Sequence, residues 1–598
     1  MFKRAGSSLA PHLRRLHTRS SASADVVNKN IRRNPRAVAL ASTVIVGSVL
    51  WYTTNQKVYN DAQSSSAVSS SSKGPTLTGN ELTNDHSDTL HSLVWGSNRS
   101  KTLLPNGQSD EPIRAPAVAG WLEGVALRDL ALHERHGACV DARGDVYQWG
   151  DAFFGQEEPG NRMPHRTLRG KNIVNLQLTE AKLFALSASG KIYVLATDAK
   201  SQELRPGVPT PSSDSWWGTG WLWGEDETVD FVQIAPREPL GWGESFVAIA
   251  AGKNHLLAVT SKGRTYGLPV NKAANEYGQL GFRRFDIPDP ASRITHNAAH
   301  LHVELVPKSL LDPYRKSSRA IRAPSTGSSS NNILSNVDDT SIRFCPTIFE
   351  IPVLQGVDVA QVAAGGRSSF ARTTDGRVLG WGANEYGQIG LGSVPLDTIT
   401  VPTEVVLWRM VPSKIRSKCQ AVTAGGDLTA FTMERVSDVG AVTLDLLLAG
   451  NGQYGGLGNN TYSNAQGQPT RVKAVSGLLQ YNDGTRRLEP VAPEAISISP
   501  TGHILVALDS SVSSGGVGGK DLMTWGKNYD SELGNGKKAS VPVPMTLETP
   551  DGGRFMLMEV QAKEVKDLHG KVWKRGIKVE QHAVAGYGNS AVYWKIAT

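Results

Sequence analysis

The 598-residue sequence predicts an all-β fold, a seven-bladed β-propeller closed by strands from both chain ends. Three observations predict it. The phrase GRVLGWGANEYGQIG at 376–390 returns at 263–281 as GRTYGLPVNKAANEYGQLG, with a four-residue insert; repetition at this scale marks a repeat architecture. Each copy holds short apolar runs alternating with period two around turn glycines, the pattern of strands joined by hairpins. Finally, the chain ends with the upstream strands of a unit (VEQHAVAGYGNSAVYWKI) whose missing ending, LVWGSNRS, stands near residue 95. Joining the two closes a ring and removes exposed sheet edges.

The elements before the repeats read in order as an address, an anchor and a linker. Residues 1–36 carry nine Lys or Arg and one acid, Asp25, so the chain's whole formal charge of +8 belongs to them. The opening MFKRAGSSLAPHLRRLHTRSSASAD is rich in Arg, Ser and Leu and poor in acid, the make-up of a mitochondrial transit peptide. Residues 37–56 are twenty positions without a charge, which at roughly 1.5 Å per residue just cross a hydrocarbon core of about 30 Å. Arg32, Arg33 and Arg36 flank one end, with Trp51 and Tyr52 toward the other, where interfacial aromatics belong. This predicts a single inner-membrane transmembrane helix. The Ser-rich stretch 57–89 reads as a flexible linker, and the side of the membrane reached by the rest stays open. Beyond residue 36 the chain holds 54 basic and 54 acidic residues; it lacks the bulk positive charge of a nucleic-acid binder, so no nucleic-acid partner is expected.

Residues 90–598 are the propeller. Six units end at positions 150, 196, 269, 382, 450 and 526, with spacings of 46 to 113 residues, which suits a unit of roughly 50 residues with loop insertions. The recurrent residues are the turn glycines Gly144, Gly263 and Gly376, and the pairs Trp95-Gly96, Trp149-Gly150, Trp381-Gly382 and Trp525-Gly526. The loop glycines Gly155, Gly278, Gly387 and Gly455 complete the set. Glycine permits positive φ and close backbone approach, which tight inter-blade turns require. Tryptophan brings a large apolar ring to the same place in each blade, so these residues are read as structural. Two insertions stand out. Residues 283–345 contain YRKSSRAIRAPSTGSSSNNILSNVDD, too polar for a core and read as a flexible protrusion. Residues 198–245 contain DSWWGTGWLWGEDE, whose Trp216, Trp217, Trp221 and Trp223 either anchor a protein partner or pack on the propeller wall.

These units resemble the repeats of the regulator of chromosome condensation family, which have the same WG ending and GQLG loop. The resemblance covers about residues 90–598 and implies a seven-bladed propeller. With the leader and span it extends to the fungal mitochondrial members, implicated in assembly of respiratory complex III, the cytochrome bc1 complex. That implies a non-catalytic inner-membrane scaffold whose partners are complex III subunits or assembly factors. The alternative is a guanine-nucleotide exchange factor for a mitochondrial small GTPase, as the family's nuclear founder acts on its own GTPase.

Catalytic and cofactor signatures are not found. HERH at 133–136 has its second His one residue short of HExxH. His296, His300 and His302 lack a supporting Cys or carboxylate pattern. SSGGVGGKD at 513–521 has Ser514 for the first phosphate-loop Gly and Asp521 for the Ser or Thr. Cys139, Cys345 and Cys419 form neither a CxxC pair nor a zinc spacing. No cofactor, metal or small-molecule substrate is expected, and the chain is read as not an enzyme.

Overall fold

The computed structural model describes residues 89–107, 111–155, 162–204, 229–289, 300–310, 318–322, 333–392, 396–409, 411–482, 484–510, 519–549 and 552–597. The transit peptide, the span at 37–56 and the linker to residue 88 lie outside them, as do Trp216, Trp217, Trp221 and Trp223. Among the described residues no helix is long and apolar enough to cross a membrane.

The described chain is an all-β propeller of antiparallel sheets taken largely in chain order. Strands Asp129–Leu132, Gly137–Val140, Val146–Trp149 and His165–Leu168 form one four-stranded sheet. Val359–Ala364, Ser368–Thr373, Val378–Ala383 and Thr398–Glu404 form another. A third comprises Arg416–Gly425, Leu428–Val436, Val442–Gly452 and Ser463–Arg471. Pro493–Ile498, His503–Leu508, Lys520–Gly526 and Val541–Thr546 make a further blade, with short Met556–Leu557 added beside Lys520–Gly526. Strands from residues 173–196 and 232–269 share one eight-stranded sheet. Its halves meet where Val232–Pro236 runs parallel to Thr347–Glu350. The remaining five-stranded sheet joins the two ends of the described chain, Leu93–Gly96 lying antiparallel to Asn589–Ile596 in the register Leu93↔Val592 to Gly96↔Asn589.

Burial explains why the strands read differently. The second strand of a unit, as in Lys182–Ser187, His255–Thr260 and His503–Leu508, is buried along its length. Neighbouring sheets cover both of its faces, so its sequence is a near-continuous apolar run. First strands such as Phe246–Ala251 alternate more, because one edge faces a common axial cavity of about 290 Å³. Leu130, Leu176, Ala251, Ala364, Ala424, Ile498 and Ala585 all line that cavity.

Both insertions are corrected. Residues 232–236 are the outer strand paired to Ile192–Ala196, so the inserted part of 198–245 is shorter than its repeat spacing implied. Within 283–345, Arg284–Pro288, His300–Leu305 and Ser318–Arg322 form a three-stranded sheet, not a flexible protrusion. Phe285, Ile287, Leu301, Val303 and Leu305 enter the same core as Ile192 and Leu256. The Ser/Asn-rich middle dominated the sequence reading, while RFDIP and HLHVEL at its flank carry the period-two pattern of half-buried strands. Buried Lys182 ties the insertion down, its Nζ donating to the carbonyls of Val270 (2.6 Å) and Asp339 (2.9 Å).

Candidate functional site

The recurrent tryptophans lie between sheets. Trp95, Trp149, Trp381 and Trp525 are each 0% exposed, and each indole N–H reaches a carbonyl in a loop of the preceding unit. Trp381 donates to Gln279 (2.8 Å), Trp525 to Gly456 (2.9 Å), Trp95 to Glu532 (2.7 Å) and Trp149 to Thr102 (2.9 Å). Every accepting residue precedes a buried leucine, respectively Leu280, Leu457, Leu533 and Leu103. The leucine fixes the loop, and the indole bonds a buried carbonyl of that loop, shared at Gln279 and Glu532 with a serine hydroxyl.

The glycines occupy the approaches around this bond. Gly455 has φ +80°, and a Cβ there would lie 2.6 Å from Cα of Pro542 on the next sheet. Gly278 meets Thr400 and Gly387 meets Gly467 in the same way. Gly382 has φ +105° and would press a Cβ to 2.6 Å from the Arg367 carbonyl within its own sheet; Gly96, Gly150 and Gly526 stand likewise against Gly588, Arg135 and Gly502. The turn glycines Gly144, Gly263 and Gly376 abut Asn172, Val359 and Cys419, where the following first strand begins. Gly155 differs: it follows the single helical turn Asp151–Phe154 and faces open space.

Two further devices went unread in the sequence. Asn98, Asn275, Asn384 and Asn528 are buried, and each side-chain oxygen accepts the N–H of the loop's apolar residue, Leu103, Leu280, Ile389 or Leu533. Asn98, Asn384 and Asn528 stand two residues after a WG glycine and Asn275 six residues after Pro269, past the four-residue insert, a place visible in part as Asn98. The second device is a buried His–Ser pair: Ser369 Oγ donates to the Gln279 carbonyl (2.7 Å) and meets His255 Nε2 at 2.8 Å. Ser590 does the same with Glu532 (2.9 Å) and His503 (3.1 Å). The serine's one proton goes to the carbonyl, so the imidazole is the donor to Oγ. His136 holds the corresponding place, but the next unit offers Leu183 instead of serine, and its ring nitrogens have no partner among the described residues.

This arrangement fixes a pH dependence. Burial pushes His255 and His503 down to about 3, whereas an unfolded histidine titrates near 6.5. As pH falls the unfolded state binds protons first, so stability is complete above about 6.5 and drains away toward 3. Each histidine is expected to remove about 2 kcal/mol between about pH 7 and 5. In urea unfolding at both pH values, His503→Gln should lose about 2 kcal/mol less than the parent over that interval. An equal loss would show that His503 is protonated in the fold.

On the loop face, charged and aromatic groups bridge units. Arg367 stacks on Tyr277 (4.7 Å), donates to its hydroxyl (2.8 Å), and pairs with Glu385 (2.7 Å) and Asp427 (3.2 Å). Burial opposes its charge, but the Asp427 and Glu385 carboxylates outweigh that and raise its pKa. Lys527 lies over both Tyr454 and Tyr529, whose rings meet edge-on at 5.4 Å. This partly exposed face is rigid and polar-aromatic, a surface able to recognise a protein. His133 stacks between His136 (4.7 Å) and Tyr587 (4.5 Å) at the mouth of the axial cavity. Among the described residues no group of three His, Cys, Asp or Glu is placed to hold a metal. All three cysteines are free and buried, and burial pushes the Cys345 and Cys419 thiols up to about 12.

Comparison with known proteins places two matches to regulator of chromosome condensation (RCC1) repeats on this geometry, at residues 359–388 and 375–432. They span the blade that carries Trp381 and the start of the next. The chain is 21% identical over 523 residues to the Saccharomyces cerevisiae "Protein FMP25, mitochondrial", covering 84% of this chain and 72% of that one. It is 28% identical over 230 residues to the Arabidopsis thaliana "RCC1 domain-containing protein RUG3, mitochondrial", covering 36% of this chain and about half, 48%, of the relative. The crystal structure of Prp20p from Saccharomyces cerevisiae superposes with a TM-score of 0.49 at 15% identity, over 85% of this chain and 92% of that one. The repeat matches show that residues 359–432 carry RCC1 repeats, the stretch that holds Trp381 and its bond to the preceding sheet.

Proposed function

We propose that this protein is a non-catalytic, seven-bladed scaffold of the mitochondrial inner membrane that binds proteins during assembly of respiratory complex III. The count of seven is supported by dividing the eight-stranded sheet at its parallel junction, which gives two blades beside the other five. The observation that carries the scaffold reading is the commitment of all four recurrent tryptophans to bonds between sheets. The repeat residues, tryptophans and glycines alike, are structural on this reading, and recognition falls to the loop face and the insertions. Trp216, Trp217, Trp221 and Trp223 are the candidate partner contact, since aromatic clusters dominate interface energetics. Mitochondrial location is supported by the acid-poor leader and by two relatives whose names carry the word. Tethering is supported by the uncharged stretch 37–56, and complex III by resemblance to the fungal mitochondrial members.

The test is purification of the tagged chain from gently solubilised mitochondria, with mass spectrometry of its companions, alongside complex III content in cells lacking it. Co-purified bc1 subunits or assembly factors and a reduced bc1 complex are expected. Full complex III content and normal respiration without the chain would overturn the reading.

A further inference from the structure

The loop that receives the two chain ends departs from its own repeat at two adjacent positions. ANEYGQLG sets Gly278 and Gln279 before buried Leu280, and ANEYGQIG sets Gly387 and Gln388 before buried Ile389. The corresponding loop after Lys520–Gly526 reads KNYDSELG, so Ser531 and Glu532 stand there before Leu533. Ser531 keeps the left-handed backbone of the glycines, with φ +64°, a conformation that strains a residue with a Cβ. Glu532 is 0% exposed, in the place of a neutral amide.

The amides show what that place requires. Oε1 of Gln279 accepts the N–H of Tyr277 (2.8 Å), and Oε1 of Gln388 that of Tyr386 (3.0 Å). Their Nε2 atoms then donate, to the Ala273 carbonyl and to Asp427 Oδ1, each at 3.4 Å. Glu532 repeats the first bond, its Oε2 accepting the N–H of Asp530 (2.8 Å). Its Oε1 takes the amide nitrogen's place, buried and without a hydrogen-bond partner among the described residues. A carboxylate cannot donate there; a protonated carboxyl can.

The same residue holds the closure. Its carbonyl accepts Trp95 Nε1 (2.7 Å) and Ser590 Oγ (2.9 Å), from the two strands that join the chain ends. Within the loop, Lys527 Nζ lies 4.0 Å from Oε1, and Asp530 is bridged to Arg99 at 3.0 Å. From the packed strands come His503, kept neutral by burial, and the uncharged Asn589 and Ser590. Burial pushes the Glu532 carboxyl up and the Asp530 charge adds to this, while the N–H groups of Glu532 and Asp530 and the Lys527 charge oppose it without reversing it.

We propose that the Glu532 carboxyl is a proton-operated latch on the ring: protonated, it holds the loop against the two joined strands, and ionised, it loosens them. A carboxyl that keeps its proton more tightly in the fold contributes fully below about pH 4.3, the unfolded value. That contribution is lost as pH rises from there through the folded value. The sign is opposite to the one set by His255 and His503. Ionisation also puts a full charge beside Lys527, which otherwise lies over Tyr454 and Tyr529, so the seam and the loop face respond to one proton. The latch requires neither the membrane nor the partner proposed above.

Hydrogen exchange of the Asn589–Ile596 amides tests it, on the full-length protein at pH 5 and pH 8 with intrinsic rates corrected. The reference is Glu532→Gln, which restores the amide of Gln279 and Gln388; dividing parent by variant cancels the histidines. That ratio of opening constants is expected to grow about tenfold between the two pH values, the order for one unpaired buried polar group. Amides of Ser368–Thr373, whose seam holds Trp381 and Gln279, should exchange equally in both proteins. A ratio that does not change with pH would overturn the latch. So would one that falls, which would show the carboxylate and Lys527 holding the seam together. An equal change at Ser368–Thr373 would also overturn it, making the effect one of global stability. Ser531→Gly relieves the strained neighbour without touching the carboxyl and should slow exchange by the same factor at both pH values. A factor that grew with pH would assign the dependence to loop strain instead.

Discussion

Trp381→Ala is expected to destabilise the protein by about 3–5 kcal/mol, the range for removing a fully buried large aromatic. The indole is 0% exposed and packs in the core shared by Phe370, Ile389 and Phe431, so truncation leaves a void between two blades. The Gln279 carbonyl keeps its bond from Ser369, which limits the polar part of the loss. Trp381→Phe is the milder change: most of the volume stays, and the N–H donor and part of the ring go, for about 1–2 kcal/mol. Trp242→Ala supplies the contrast, because Trp242 is 99% exposed and its truncation should stay within about 0.5 kcal/mol. Urea midpoints of the three variants decide the matter. Equal midpoints for Trp381→Ala and Trp242→Ala would refute the inter-blade role of the buried ring.

That contrast also shows what a sequence can and cannot disclose here. Trp242-Gly243 carries the same dipeptide as Trp381-Gly382, yet one indole lies in solvent and the other between sheets. Periodicity distinguishes them: only the second stands six residues past a turn glycine and eight before a closing one. Strands and their order were legible for the same reason, since second strands are uniformly apolar and first strands alternate. The His–Ser pairs were not legible, because His255 and Ser369 are 114 residues apart and meet only when consecutive blades stack. The insertion at 283–345 misled through its average composition: polarity in the middle hid two alternating strands at the edge. For the loop face Tyr277 of the first NEYGQ phrase was in plain sight, but its arginine partner comes from the next unit. Arg367 reaches Tyr277 across 90 residues.

Deleting residues 586–598 is expected to abolish the folded monomer. The strand Asn589–Ile596 is paired on both edges, to Leu93–Gly96 and to Val572–Ala585, so its loss uncovers two strand edges at once. It also removes Ala591, Val592, Tyr593 and Trp594, all at most 2% exposed. At about 1.5–3 kcal/mol for each large side chain, Val592, Tyr593 and Trp594 alone approach the whole margin of about 5–15 kcal/mol that holds a domain folded. Side-chain bonds across the closure go with them: Ser590 Oγ to the Glu532 carbonyl, Asn589 Nδ2 to Thr102 (3.1 Å), and Trp594 Nε1 to the His91 carbonyl (3.0 Å). Uncovered edges are templates for pairing with other chains, so the truncated protein should elute as aggregate and lose its near-ultraviolet circular dichroism. Closure, unlike general destabilisation, can be restored in trans. A peptide of residues 586–598, present during refolding, should insert between the two edges and return monomer. A truncated chain that stays monomeric with native circular dichroism would refute the view that the two ends hold the ring shut. Aggregation that the peptide leaves untouched would place the strand's contribution in the folding of its own sheet.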